Sequence, residues 1–131
     1  MMTPYLSFSG SCEEALDAYK TIFGGTIESL NRYEGSPMEA QVPADFKTKI
    51  MHATLISPLG TLMASDTSRP LEEGSRISIS VAPSAADGER IFNGLADGGK
   101  IEMPLQDVFW GGKFGMLTDR FGIDWLVSVS P

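Results

Sequence analysis

The 131-residue chain shows short alternating runs and two helical stripes, in an order that occurs twice. Thr3 to Ser9 alternates, with Leu6 and Phe8 on one side and Tyr5 and Ser7 on the other, which predicts a strand. Ser11-Cys12-Glu13-Glu14 reads as a capping box: the Ser11 hydroxyl accepts the third helical N–H and Glu14 reaches back. Ala15, Leu16, Tyr19, Ile22 and Phe23 then form one apolar stripe at helical spacing, and Gly24-Gly25 ends the helix. Thr26 to Tyr33 predicts a strand. From Glu34 to Lys49 the pattern dissolves around Pro37 and Pro43, and so long a loop in a compact domain suits a lid or binding loop. Met51 to Ile56 and Thr61 to Asp66 predict two strands, joined by the turn Ser57-Pro58-Leu59-Gly60.

The order then returns. Arg76 to Ala82 alternates Ile77, Ile79 and Val81 against Ser78 and Ser80, a strand. Ser84 caps a helix bearing Ala85, Ile91, Phe92 and Leu95, which Gly88 and Gly94 weaken by about 1 kcal/mol each relative to alanine. Gly98-Gly99 stops it. Ile101 to Leu105, Lys113 to Thr118 and Ile123 to Ser130 are the remaining strands, the last two joined around Asp119-Arg120-Phe121-Gly122. Gly24-Gly25-Thr26-Ile27-Glu28 matches Gly98-Gly99-Lys100-Ile101-Glu102 at an offset of 74, and Gly60 matches Gly122 at 62. The difference of 12 residues falls in the Glu34–Lys49 loop. The expected fold is therefore α+β: a single domain, 1–131, of two βαβββ modules, 1–67 and 75–131, with a polar linker at 68–74. Each module has a helix on one sheet face and leaves the other bare, so pairing two modules would enclose a pocket.

Within the second module, Met103 to Val127 gathers Gln106-Asp107, Phe109-Trp110, the glycines Gly111, Gly112 and Gly115 and a tight hairpin, a mixture suited to strands that line a pocket. Other residues of note are Pro4-Tyr5-Leu6-Ser7-Phe8 with Gly10, Tyr19 followed by Phe23-Gly24-Gly25, His52-Ala53, and Met63-Ala64-Ser65-Asp66. With Gly99 to Met103, Gln106-x-x-Phe109-Trp110, Phe114-Gly115 and Thr118-Asp119-x-Phe121-Gly122-x-x-Trp125, they cover nearly the whole chain. In these residues the sequence resembles the PhnB-like (YjdN-type) branch of the vicinal-oxygen-chelate superfamily, that of glyoxalase I, bleomycin-resistance proteins and extradiol dioxygenases. The resemblance implies two half-barrels around a cavity. In metal-using members it also implies a histidine on the first strand of each module and a glutamate on the last. Strand register places those positions at Thr3, Arg76 and Leu126, none of which supplies the expected ligand, and Arg76 would repel a cation. No metal and no cofactor are therefore expected, with a divalent metal as the alternative.

Candidate chemistry is sparse. His52 is the lone histidine; with Asp66 across the predicted hairpin it would make an acid–base pair or part of a metal site, because imidazole titrates near neutrality. Alternatively it is a strand residue hydrogen-bonded to Ser65. The alternation of Met51, Ala53 and Leu55 against His52 and Thr54 leaves open which face meets a cavity. Phe109 and Trp110 suit the apolar wall of a pocket, with Gln106 and Asp107 orienting a ligand, or else a subunit interface. Tyr5 and Leu126 complete the expected ligand-binding set. Arg76 suits a carboxylate or phosphonate at a pocket mouth, or an ion pair with Glu72 or Glu73. Trp125 is expected in the core on the helix side, and the seven methionines as adaptable packing with some lining a cavity. Cys12 sits at a helix start beside Glu13 and Glu14, which oppose a lowered pKa, so it is expected to be inert.

Composition narrows the classes. Hydrophobic content of 42% and charged content of 21% are globular values. Seventeen acidic residues against 10 basic give a net charge of −7; with no basic cluster, nucleic acid is not an expected partner and the charge serves solubility. The single cysteine makes no internal disulfide, no apolar run reaches the roughly 18 residues of a membrane span, and MMTPYLSF has no basic n-region. The cytoplasm is the expected location. Gly-x-Gly-x-x-Gly after a strand, the P-loop and Gly-x-Ser-x-Gly are absent, and no doubly wound nucleoside-binding pattern supports the methyltransferase label sometimes given to the branch. Three readings result: a metal-independent small-molecule-binding homodimer; a lyase, isomerase or dioxygenase-type enzyme with a nonstandard site around His52; and an interaction module whose pocket is filled by its own side chains.

Overall fold

Each half of the chain folds a helix onto one face of a four-stranded sheet. In the computed structural model, which describes residues 1–72, 74, 76–109 and 111–131, the halves are two compact units, Met1–Glu73 and Gly74–Pro131. The first unit comprises β1 (Tyr5–Phe8), α1 (Cys12–Phe23), β2 (Thr26–Arg32), β3 (Ile50–Ser57) and β4 (Gly60–Asp66), in the sheet order β1-β4-β3-β2. The second comprises β5 (Ile79–Val81), α2 (Gly88–Ala96), β6 (Lys100–Asp107), β7 (Lys113–Thr118) and β8 (Asp124–Val129), in the order β5-β8-β7-β6. β1 runs parallel to β4 and β5 parallel to β8, while the other pairings are antiparallel. Both units are βαβββ with one topology, the α+β arrangement of two half-barrel modules read from the sequence.

The helix-facing side of each sheet forms a core. In the first unit Leu6, Phe8, Leu16, Tyr19, Leu55 and Ala64 are buried, and in the second Val81, Ile91, Phe92, Leu95, Leu117, Trp125 and Val127. The matched Gly-Gly pairs have one shared cause. A Cβ on Gly25 would stand 2.7 Å from the Ile56 carbonyl oxygen, and one on Gly99 would meet the Thr118 carbonyl. Each follows a helix end, and Gly24, the α1 C-cap, has φ 72°, a conformation glycine adopts at low cost.

Several local expectations are corrected. Ser11 is the N-cap of α1, but its side chain makes no cap hydrogen bond. Asp66, at the end of β4, does that work: its Oδ1 accepts the N–H groups of Gly10 and Cys12, each at 2.9 Å, and its Oδ2 accepts that of Ile50 at 2.9 Å. The carboxylate thus ties the start of α1 to the beginning of β3 and the end of β4. Corresponding backbone bonds, Thr67 N–H to Phe8 in the first unit and Ser130 N–H to Pro83 in the second, place Val129 where Asp66 stands. Val129 packs on Gly88, whose missing Cβ makes room for it. Gly88 is accordingly the first residue of α2, a close-approach site rather than a weak interior position. The helix starts after Asp87, not after Ser84, and Ala85 lies outside it. The Ser84 carbonyl accepts the N–H groups of both Asp87 and Gly88.

The strand expected from Arg76 shrinks to Ile79–Val81, and Ile77 is 84% exposed. β6 is longer than expected and takes in Gln106 and Asp107; it is an edge strand, where Pro104 is tolerated. The 34–49 loop carries two 3₁₀ turns, Glu39–Gln41 and Ala44–Phe46. Arg32 fixes its far end, pairing with both Glu13 oxygens and donating to the Thr48 carbonyl at 2.8 Å. The Asp119 turn is built like a second hub: Oδ1 accepts from Phe121 and Ile123 N–H and Oδ2 from the Trp125 indole at 2.8 Å. Trp125 is 1% exposed, in the core as expected. Among the described residues no helix is long and apolar enough to cross a membrane.

Replacing Asp66 by Ala leaves three N–H groups without their acceptor, and a loss of about 3 to 5 kcal/mol is expected in urea unfolding. Ser11→Ala, which removes no cap hydrogen bond, is expected to cost less than about 0.5 kcal/mol in the same assay.

Candidate functional site

With one face of each sheet covered by its helix, polar and half-buried side chains collect on the other. In the first unit the register aligns Tyr5, Met63, Thr54 and Ser29 in one row across β1, β4, β3 and β2. In the second the corresponding row is Ser80, Leu126, Met116 and Met103 across β5, β8, β7 and β6. The two rows hold equivalent places in the repeated topology, yet their chemistry has diverged. One is mostly hydroxylic and the other mostly aliphatic.

His52 lies on the first row's face. Its Nδ1 stands 3.4 Å from the Tyr5 hydroxyl and its Nε2 3.3 Å from the Thr54 hydroxyl, and the Tyr5 and His52 ring centroids are 5.8 Å apart. His52 and Thr54 share the face of β3 away from the helix, although Thr54 is itself buried, and Ala53 and Leu55 are buried on the other. Both ring nitrogens thus face protein hydroxyls.

The expected His52–Asp66 pair does not form. Asp66 is 1% exposed and both of its oxygens are engaged by backbone N–H groups, so it shapes the fold. Nor does His52 bond Ser65; its partners are Tyr5 and Thr54. Among the described residues no group of three or more His, Cys, Asp or Glu side chains comes together. β1 begins at Tyr5 and β5 at Ile79, so Thr3 and Arg76 precede their strands, and Leu126 offers an aliphatic side chain. These residues do not fit the histidine and glutamate set of the superfamily's metal site.

Leu126 lies in a concavity of about 380 Å³ on the second sheet, with Met116, Ser78, Glu102, Thr118 and Asp124 around it. The Thr118 hydroxyl donates to Asp124 Oδ1 at 2.6 Å, which orients that carboxylate at the edge of an apolar floor. Such a surface suits a small molecule with an apolar body and a donor group. Arg76 and Gln106 are exposed, Gln106 opposite Phe114 on the edge strand. Phe109 is 97% exposed, not a pocket wall within its unit, and Trp110 lies outside the described residues. Arg76 forms no ion pair with Glu72 among the described residues.

Of the residues picked from the sequence, the structure brings together Tyr5 and His52, and separately sets Leu126 beside Met116. Thr54, Met63, Ser7 and Ser65 were missed as a group. Which residues of β1 face which of β4 depends on a parallel register between strands more than 50 positions apart in the chain, and no local signal carries it.

Cys12 is buried, and of the two expected neighbours Glu13 opposes its ionisation while Glu14 does not contribute. Burial, followed by the nearby charges of Asp66 and Glu13, pushes its thiol from 9.0 up to about 12.

Comparison with known proteins identifies the class. The topology is that of the vicinal-oxygen-chelate fold: FosX of Listeria monocytogenes, a fosfomycin resistance protein, superposes with a TM-score of 0.68 at 10% identity, a likeness of fold alone. The family model described as 3-demethylubiquinone-9 3-methyltransferase matches residues 1–128. Protein YjdN of Escherichia coli K12 is 32% identical over 98% of this chain and 94% of its own. Protein PA1353 of Pseudomonas aeruginosa is 44% identical with a TM-score of 0.87, covering 99% of this chain and 97% of its own. A PhnB protein from Bacillus cereus is 26% identical with a TM-score of 0.82, over 98% of both chains. The chain belongs to this PhnB-like family of the vicinal-oxygen-chelate superfamily.

The Cys12 environment gives a pH dependence with a definite sign. The unfolded thiol ionises near 9 and the folded one near 12, so its contribution to stability is full below about pH 9 and is lost as pH rises toward 12. In chemical denaturation between about pH 9 and 11, Cys12→Ala is expected to lose stability less steeply than the parent chain. Alkylation of Cys12 by iodoacetamide at pH 8 is expected only after unfolding.

Proposed function

We propose that the protein binds a small organic molecule on the open faces of its sheets, without the superfamily's metal triad. The observation that carries this reading is the Leu126–Met116 concavity of about 380 Å³, where an apolar floor meets the oriented carboxylate of Asp124. Leu126 and Met116 would take the apolar body of the ligand. Tyr5, and His52 between its two hydroxyls, give the first unit's face its hydrogen-bonding capacity. Gln106, Phe109, Trp110 and Arg76 are further candidate ligand contacts, and the chain is read as a single cytoplasmic domain that forms a homodimer. The edge strands β1, β2, β5 and β6 offer unpaired backbone for symmetric association.

Membership of this family does not by itself carry the methyl transfer in the family's description to this chain. Each unit has a four-stranded sheet with one parallel pair, unlike the doubly wound parallel sheet that binds nucleosides at its switch point. A second reading is a metal-dependent lyase, isomerase or dioxygenase-type enzyme centred on His52. It is favoured by the placement of that imidazole between Tyr5 and Thr54.

Native mass spectrometry with elemental analysis, on protein purified without a metal-binding tag, separates the two. A metal-free dimer is the expected species, carrying an organic adduct where ligand co-purifies. One divalent ion per chain, lost in His52→Ala, would establish the second reading and remove the first.

A further inference from the structure

After β4 the chain stays with the first unit through Glu72. Arg69, Pro70, Leu71 and Glu72 bound a pocket of about 480 Å³ together with Tyr5, Ser7, Tyr33 and Ser65. The lining is rich in hydroxyls, and its hydrogen bonds can be assigned one by one. The Tyr33 hydroxyl donates to the Asp66 carbonyl at 2.7 Å, and Thr67 Oγ1 accepts the Arg69 N–H at 3.2 Å. The Tyr5 hydroxyl faces His52, and the Asp66 carboxylate is engaged by Gly10, Cys12 and Ile50. The Ser7, Ser65 and Thr67 hydroxyls and the Arg69 guanidinium remain as donors. Ser7 and Ser65 are register partners in β1 and β4, so their side chains stand next to one another on the open face. Arg69 makes no ion pair among the described residues. Its charge is felt inside the pocket, where it counters the upward push that burial, Tyr5 and Asp66 exert on the Tyr33 hydroxyl.

Two neighbouring hydroxyls and a guanidinium around one concavity call for an acceptor-rich group, and a carboxylate meets a guanidinium fork in bidentate fashion. Glu72 at the same mouth sets a second condition. Its carboxylate opposes a dianion and favours a ligand that also donates a hydrogen bond. An uncharged hydroxyl meets that condition without adding a second cation to a pocket that already holds Arg69. We propose that this pocket binds a small hydroxycarboxylic acid, its carboxylate held by Arg69, Ser7 and Ser65 and its hydroxyl directed to Glu72. The Tyr5 hydroxyl belongs both to this pocket and to the His52 pair, so a bound acid lies beside the one imidazole of the chain. The inference rests on the reading of the protein as a small-molecule binder and assigns a ligand class to its first unit.

Titration of the ¹⁵N-labelled full chain with sodium glycolate, at constant ionic strength, tests it by amide shifts. Saturable shifts are expected at Ser7, Ser65 and Thr67, with an apparent Kd on the order of 1 mM. Sodium acetate, which lacks the hydroxyl, is expected to bind more weakly. Arg69→Gln should weaken glycolate about tenfold or more, because it removes a charge-assisted contact. Arg90→Gln, on α2, should leave binding unchanged. Shifts confined to Met116, Leu126 and their neighbours would overturn the Arg69 pocket while leaving small-molecule binding standing. Non-saturating shifts throughout, or unchanged affinity in Arg69→Gln, would overturn it as well.

Discussion

The first unit depends on one carboxylate. Asp66 ends β4 and accepts three backbone N–H groups, two at the entry to α1 and one at the start of β3. These groups come from segments that local sequence leaves far apart, and each would be costly to bury without an acceptor. Their convergence sets where the helix sits on the sheet and leaves the Ser11 side chain without a cap hydrogen bond. It also places the Asp66 carbonyl to receive Tyr33, which ties the end of β2 to the pocket rim. The second unit meets the same need apolarly, with Val129 against Gly88, and moves its buried carboxylate to Asp119 at the β7–β8 turn. The two units share a topology while the interactions at equivalent points differ.

The same divergence appears on the open faces. Where the first unit has Tyr5, Met63 and Thr54, the second has Ser80, Leu126 and Met116. The first face offers hydroxyls and an imidazole, the second an apolar floor with one carboxylate. Neither face supplies the ligand set of a metal site among the described residues, and the residues at the expected positions are hydroxylic, cationic or aliphatic.

Much of this fold was legible in the sequence because its signals are local. Alternation marked the strands, the Gly-Gly pairs marked both helix ends, and the repeat of those marks gave the doubled βαβββ order. The misreadings arose where tertiary contacts override local pattern. Ser11 has the composition of a cap, yet a carboxylate 55 positions along the chain does the capping. Ser84 resembles a cap as well, but the contact of Val129 with Gly88 places the helix start later. Ile77 continues the alternation of β5, although pairing with β8 is confined to Ile79, Ser80 and Val81. The site was legible residue by residue and not as a constellation. Tyr5 and His52 stood out singly, but the parallel register that groups them with Thr54, Ser7 and Ser65 is a long-range property.

The most direct test of a metal-independent binding surface is a crystal structure of the protein as purified, with anomalous diffraction data collected. The expected result is density for an organic molecule against Leu126 and Met116, or against Ser7 and Ser65, and no anomalous peak at His52. An anomalous peak within bonding distance of a His52 ring nitrogen, with density completing a coordination sphere, would contradict the account.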